Sequence, residues 1–181
     1  MASLSVLAPF ILSWEGGYCN VPGDKGGATN RGVTLATWRL YGYDKDHDGD
    51  IDANDVRLIT VEDAVERVMR PHFWNRCKGD QIECQQIANI LVDWAWNSGV
   101  TTAVKQVQRV LGVKADGIVG PTTLGAINHH RSPGLLFEAI WKARKAFYEG
   151  IVARNPSQKK FLAGWMRRLN SITWFQLKLN K

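Results

Sequence analysis

Apolar residues recur at steps of three and four along most of the 181-residue chain, the spacing of helices that bury one face. Leu4, Leu7, Phe10, Ile11 and Trp14 form the first such stripe and predict a helix ending at Gly16 and Gly17. "LATWRLYG" predicts a second helix ending at Gly42. Thr60 and Asp63 have the spacing of a capping box opening "VEDAVERVMR", which Pro71 is expected to stop or bend. Leu91, Trp94 and Ala95 mark a helix over about 87–97, with Gly99 as its stop. "AVKQVQRVLGVKADGIVGPTTLGAI" then reads as helix, glycine-bearing turn, helix, with Pro121 in the first turn of the second. Two longer stripes close the chain: Leu136, Ile140, Ala143, Phe147 and Ile151, then Phe161, Trp165, Leu169 and Ile172, parted by a turn at 155–157. No period-two alternation persists, so a mainly α fold is expected, divided near Gly99 into segments 1–98 and 99–181.

Composition narrows the class. With 45% hydrophobic and 22% charged residues the chain is neither disordered nor fibrous, and no apolar run reaches the roughly 18 to 20 residues of a membrane span. The opening "MASLSVLAPFILSW" lacks Lys and Arg and reads as a folded first helix rather than a signal peptide. Three cysteines, Cys19, Cys77 and Cys84, make a disulfide framework improbable and leave a Cys77–Cys84 pair open. The net charge of +6 is uneven. Residues 1–100 carry 9 Lys and Arg against 14 Asp and Glu, and residues 101–181 carry 14 against 3. A basic second half suits an anionic partner such as wall polymer, nucleic acid or membrane surface, or is a solvated face.

The stretch "WEGGYCNVPGDKGGATNRGVT" carries the candidate chemistry. Glu15 ends a predicted helix, where the carbonyl end of the dipole disfavours a negative charge, and a carboxyl that keeps its proton is what general-acid cleavage of a glycosidic bond requires. The bland alternative is a helix end followed by a turn. Asp24 follows Glu15 after eight intervening residues and Thr29 after a further four, close to the acid, carboxylate and hydroxyl set of phage-type lysozymes, with the threonine one residue early. In that set Asp24 holds the attacking water or offsets charge on the sugar; it equally suits a cap on the glycine turn. "GDKGGATNRG" lacks the phosphate-loop spacing. Cys19 with one of the four histidines is a minor alternative as a peptidase nucleophile.

Four motifs, "WEGGY", "DKGGATNRGVT", "VDWAWNSG" and "ADGIVGPTTL", resemble the glycoside hydrolase 108 family, whose members include proteins labelled secretion activator. The resemblance implies a lysozyme-like helical muramidase domain over 1–98 and a small helical, predicted peptidoglycan-binding domain over 99–181. It also implies that Glu15 is the catalytic acid and bacterial peptidoglycan the partner. The action then lies in the periplasm or cell wall, reached through a secretion system or a holin-type pore. The alternative is a non-catalytic wall-binding or secretion accessory protein that kept the fold.

"DKDHDGDIDAND" places Asp44, Asp46 and Asp48 at positions 1, 3 and 5 of an EF-hand-like loop, Gly49 at 6, Asp50 at 7, Ile51 at 8, Asp52 at 9 and Asp55 at 12. Alternating oxygen ligands around a sharp glycine turn suit one structural Ca2+, held here by Asp44, Asp46, Asp48, Asp50 and Asp55, with Asp55 where the usual loop has Glu. Asp93 and Asn97 are four apart and share a helical face; both are candidate substrate contacts, with Tyr18, although Asn97 equally suits capping of a helix end. Of Trp94 and Trp96, on different sides of the helix, at most one faces substrate. A DNA-binding helix-turn-helix is disfavoured because the gap between the two helices exceeds the usual 3 to 4 residues, so no nucleic-acid partner is expected. Adjacent His129 and His130 do not share a helical face and make a poor metal site.

Overall fold

Burial follows most of the sequence stripes, the exception being exposed Phe161 at the start of the last. The computed structural model describes residues 1–20 and 27–180. Its α-helices are α1 (Leu4–Trp14), α2 (Leu35–Tyr41), α3 (Ala53–Arg57), α4 (Gln85–Ser98), α5 (Val100–Leu111), α6 (Pro121–Asn128), α7 (Pro133–Arg154) and α8 (Lys159–Asn170). In α1, Leu4, Leu7, Phe10 and Ile11 are buried, and Ser3 caps the first turn. The fold is mainly α, and Gly42, Gly99 and Pro121 occupy the predicted helix ends.

Pro71 does not end the helix opened by the Thr60–Asp63 box, although that box forms, with Asp63 N–H donating to Thr60 Oγ1 and Thr60 N–H to Asp63 Oδ2. A wide helix runs from Asp63 to Trp74, and Asn75 N–H still reaches Arg70 O, five residues back, at 2.8 Å. Wider winding relieves the clash between a proline ring and the carbonyl four residues earlier, so the helix loses a rung rather than its course. The mainly α fold includes a small antiparallel hairpin, β1 (Thr29–Asn30) and β2 (Val33–Thr34). Two-residue strands are too short to show alternation. Its turn holds Arg31 at φ 52° and Gly32 at φ 77°, the twin left-handed residues of the tightest hairpin loops.

One large core joins α1, α4, α5 and α7 and takes in Leu169 of α8, so it is continuous across Gly99. A smaller core of Ala28, Val33, Trp38, Val56, Ile59, Ala64 and Val68 lies under the hairpin and α3. Leu12, Phe73 and Trp96 touch both. Buried Gln108 of α5 organises the α5–α6 turn, donating to Asp116 Oδ1, Ile118 O and Thr123 Oγ1 and accepting from Gly117 N–H. A groove of about 300 Å³ runs along this turn, lined by Lys114, Asp116, Ile118, Pro121 and Thr122 among others.

Candidate active site

Glu15 is the C-terminal cap of α1, with an extended backbone, and the two glycines after it give its side chain no local support. Three distant elements hold it. Trp96 of α4 donates its indole N–H to Glu15 Oε1 at 2.9 Å, and Arg168 of α8 donates from Nη1 to the same oxygen at 2.9 Å. The hairpin closes the third side. A Cβ at Gly32 would lie 2.8 Å from Glu15 Cγ, 2.9 Å from its Cδ and 2.9 Å from Trp96 Cζ2, and Arg31 N–H donates to Gly16 O at 3.3 Å. The Glu15 side chain stays 20% exposed, and among the described residues no donor reaches its Oε2. Oε1 is thus fixed by two donors from distant parts of the chain.

Behind Arg168 the charges continue inward. Asp93 Oδ1 accepts from Arg168 Nη2 at 2.7 Å and Nε at 3.1 Å, and its Oδ2 accepts from Arg144 Nη2 at 2.8 Å. Arg144 Nε donates to the Tyr148 hydroxyl at 2.8 Å. Burial alone would push the Asp93 carboxyl up, but Arg168 and then Arg144 hold it below the ordinary carboxylate range. Asp93 and Arg144 have no exposed side-chain surface.

This corrects the reading of Asp93 as a sugar contact. Helix α4 is buried continuously from Ile87 to Ala95, so Asp93 meets Arg144 of α7 and Arg168 of α8 rather than a cleft, while Asn97 lines a pocket of about 250 Å³ with Phe147 and Trp165. Asn97 is exposed, and its Nδ2 donates to Asp93 O at 2.8 Å, the helix-end role. Trp94 is in the core and Trp96 at the site. Tyr18 is half-buried, with the Arg57 guanidinium 4.7 Å from its ring centre. Thr29 is half-buried in β1, paired by its backbone to Cys19 and Thr34. Asp24 lies outside the described residues. All three cysteines are free thiols: Cys19 is exposed, whereas burial pushes Cys77 up to about 12.

The acidic loop has EF-hand features in register. Asp44 accepts from His47 N–H and, through Oδ2, from Gly49 N–H at 2.9 Å, and Gly49 has φ 103°, out of reach of most side chains. Carboxylate oxygens of Asp44, Asp46 and Asp48 lie within 4.8 Å of one another, and those of Asp50, Asp52 and Asp55 form a second such group. Asp52 thus joins the acids, although the loop reading gave it no ligand role. Asp55 is buried and accepts from Lys45 N–H through Oδ1 and Asp52 N–H through Oδ2, completing a capping box at α3. An all-carboxylate donor set suits a hard divalent cation.

Arg168 and Gly32 escaped the sequence reading, and Trp96 was there only one of two alternatives with Trp94. A signal for Arg168 was present: it stands seven residues after Phe161, within the stripe that includes Trp165 and Leu169. Arg144 similarly stands eight after Leu136. A cation at an apolar-face position calls for a buried partner.

The pattern of the Glycosyl hydrolase 108 family matches residues 8–99, and that of a predicted peptidoglycan domain matches residues 102–170. Among solved structures, SagA of Brucella abortus is similar: it is 29% identical, the match covers 99% of this chain and 98% of that one, and the TM-score is 0.76. No curated protein matches the chain.

Proposed function

The chain belongs to the glycosyl hydrolase 108 family, and from that premise we propose a lysozyme-like N-acetylmuramidase that cuts the β-1,4 glycan backbone of bacterial peptidoglycan with Glu15 as its general acid. The observation that supports this best is the hold on Glu15. Oε1 is fixed by Trp96 and Arg168, which leaves Oε2 to carry and deliver the proton. In the proposed step that proton goes to the glycosidic oxygen as its bond to the anomeric carbon breaks, the electron pair leaving with the oxygen. Water adds to the carbon and passes its proton to Asp24, while the Thr29 hydroxyl orients the water.

The segment matched to the predicted peptidoglycan domain would hold the polymer, with the groove along the α5–α6 turn as its contact and its basic excess meeting acidic groups of the wall. Asp44, Asp46, Asp48, Asp50 and Asp55 would hold a Ca2+ whose role is to offset their charge and staple the loop. It takes no part in hydrolysis. Action at the cell wall follows from the substrate, with delivery through a secretion system or holin-type pore.

The test is mass spectrometry of fragments released from purified peptidoglycan by the wild type and by Glu15→Gln. Reducing N-acetylmuramic acid ends are expected from the wild type, with a loss of about 100- to 10,000-fold in the variant. Intact glycan from a wild type that still pellets with the wall would replace this reading with that of a non-catalytic wall-binding protein.

A further inference from the structure

We infer that Arg168 is a positioning residue for the glutamate acid, so that the segment resembling a wall-binding module also completes the catalytic site. The inference rests on the proposed role of Glu15 and goes beyond it, because it assigns part of the chemistry to the far end of the chain. Arg168 lies 153 residues from Glu15 in sequence and within the stretch matched to the predicted peptidoglycan domain.

Glu15 caps its helix ahead of two glycines, so its rotamer is set from outside its own element. Arg168 reaches it from a fixed seat: its Nε and Nη2 are both committed to Asp93 Oδ1, at 3.1 and 2.7 Å, which leaves Nη1 for Glu15. A guanidinium held through two nitrogens of one edge places its third nitrogen with little freedom, which a lysine ammonium on a flexible stem does not. When Glu15 gives up its proton, the carboxylate that forms faces a cation already in place, the pre-organised arrangement that favours charge developing in a transition state.

Arg144 supplies the control. It pairs with Asp93 at 2.8 Å where Arg168 does so at 2.7 Å, both arginines are buried, and its bonds go to Asp93 and Tyr148 rather than to Glu15. Removing either arginine leaves Asp93 short of a partner and should lower stability to a similar degree. Only the loss of Arg168 should reach the chemistry.

The experiment uses the full chain as wild type, Arg168→Met, Arg168→Lys, Arg144→Met, Trp96→Phe and Glu15→Gln. Melting is followed by circular dichroism, and reducing ends released from soluble glycan strands are counted at a temperature where each protein is folded. Arg168→Met and Arg168→Lys are expected to lower kcat about 100-fold with KM little changed. Arg144→Met should stay within about threefold of the wild-type kcat despite a comparable fall in Tm, and Trp96→Phe should fall between. Equal kcat losses in the Met variants at 168 and 144 would make the arginines merely structural, and an unchanged kcat in Arg168→Lys would overturn the need for the fork. If Arg168→Met does not fold, Arg168→Lys against Arg144→Met carries the comparison, with Trp96→Phe as a second measure on the same oxygen. A Glu15→Gln variant as active as the wild type would instead remove the acid assignment itself, whatever the arginine variants do.

Discussion

At Gly32, backbone and side-chain packing demand the same residue. Its φ of 77° lies in the left-handed region, and a Cβ there would sit 2.8 Å from Glu15 Cγ. Gly117, in the α5–α6 turn, is strained in a comparable way, at φ 85° and 2.8 Å from Thr101 Cγ2. Both Gly→Ala variants should lose about 1 to 3 kcal/mol of stability by urea melting. Only Gly32→Ala should also lose glycan cleavage per folded molecule, by about tenfold or more, because the new methyl displaces Glu15 by fractions of an ångström. Wild-type cleavage by Gly32→Ala would mean that the hairpin does not shape the acid. The place of Glu15 at a helix end was legible in sequence because its signal is local: a carboxylate before two glycines. Its partners were not, since Trp96 and Arg168 lie 81 and 153 residues away, and no spacing rule spans such distances.

Elements with local causes were the legible ones. Capping boxes, helix-stopping glycines and Pro121 act through neighbours within four residues, whereas the passage of a helix through Pro71 depends on how its winding widens in the packed molecule. The acidic loop sits between these cases. Its register is written in the sequence, while the grouping into two triads is a property of the folded loop. Partial desolvation, and then the charge of Asp48, push both Asp46 and Asp50 above the ordinary carboxylate range. A carboxyl raised in the fold disfavours folding at pH above its folded value, and the penalty disappears when a proton or a cation neutralises it. Calcium should therefore raise the melting temperature at pH 7, Mg2+ should do less because it holds its waters and demands a smaller octahedral shell, and the gain should shrink as pH falls towards about 4. Calorimetry with millimolar Ca2+, Mg2+ or chelator reads this directly, and identical melting in all three would reduce the loop to a solvated acidic turn.

At the scale of the whole molecule, the buried charges join what the sequence divides. Asp93 of α4 receives Arg144 from α7 and Arg168 from α8, and the large core runs through the same helices. Segments before and after Gly99 should then unfold together, in one transition seen alike by tryptophan fluorescence and circular dichroism. The network also sets a pH dependence. The carboxyl of Asp93 is held low in the fold despite its burial, so its stabilising contribution is complete above the unfolded value near pH 4 and is lost as pH falls through the lower folded value. Asp55, Asp63 and Asp116 are also held low, so acid sensitivity has several sources. Asp93→Asn should be about 3 to 5 kcal/mol less stable at pH 7, yet lose less than the wild type between pH 5 and pH 3, since its own titration is gone. Urea midpoints for both proteins across that range decide the matter. Two separate transitions would dissolve the single unit, and parallel pH slopes would take Asp93 out of the acid response; a single transition with a shallower slope in Asp93→Asn would tie the stability of both halves to the charge cluster that also reaches Glu15.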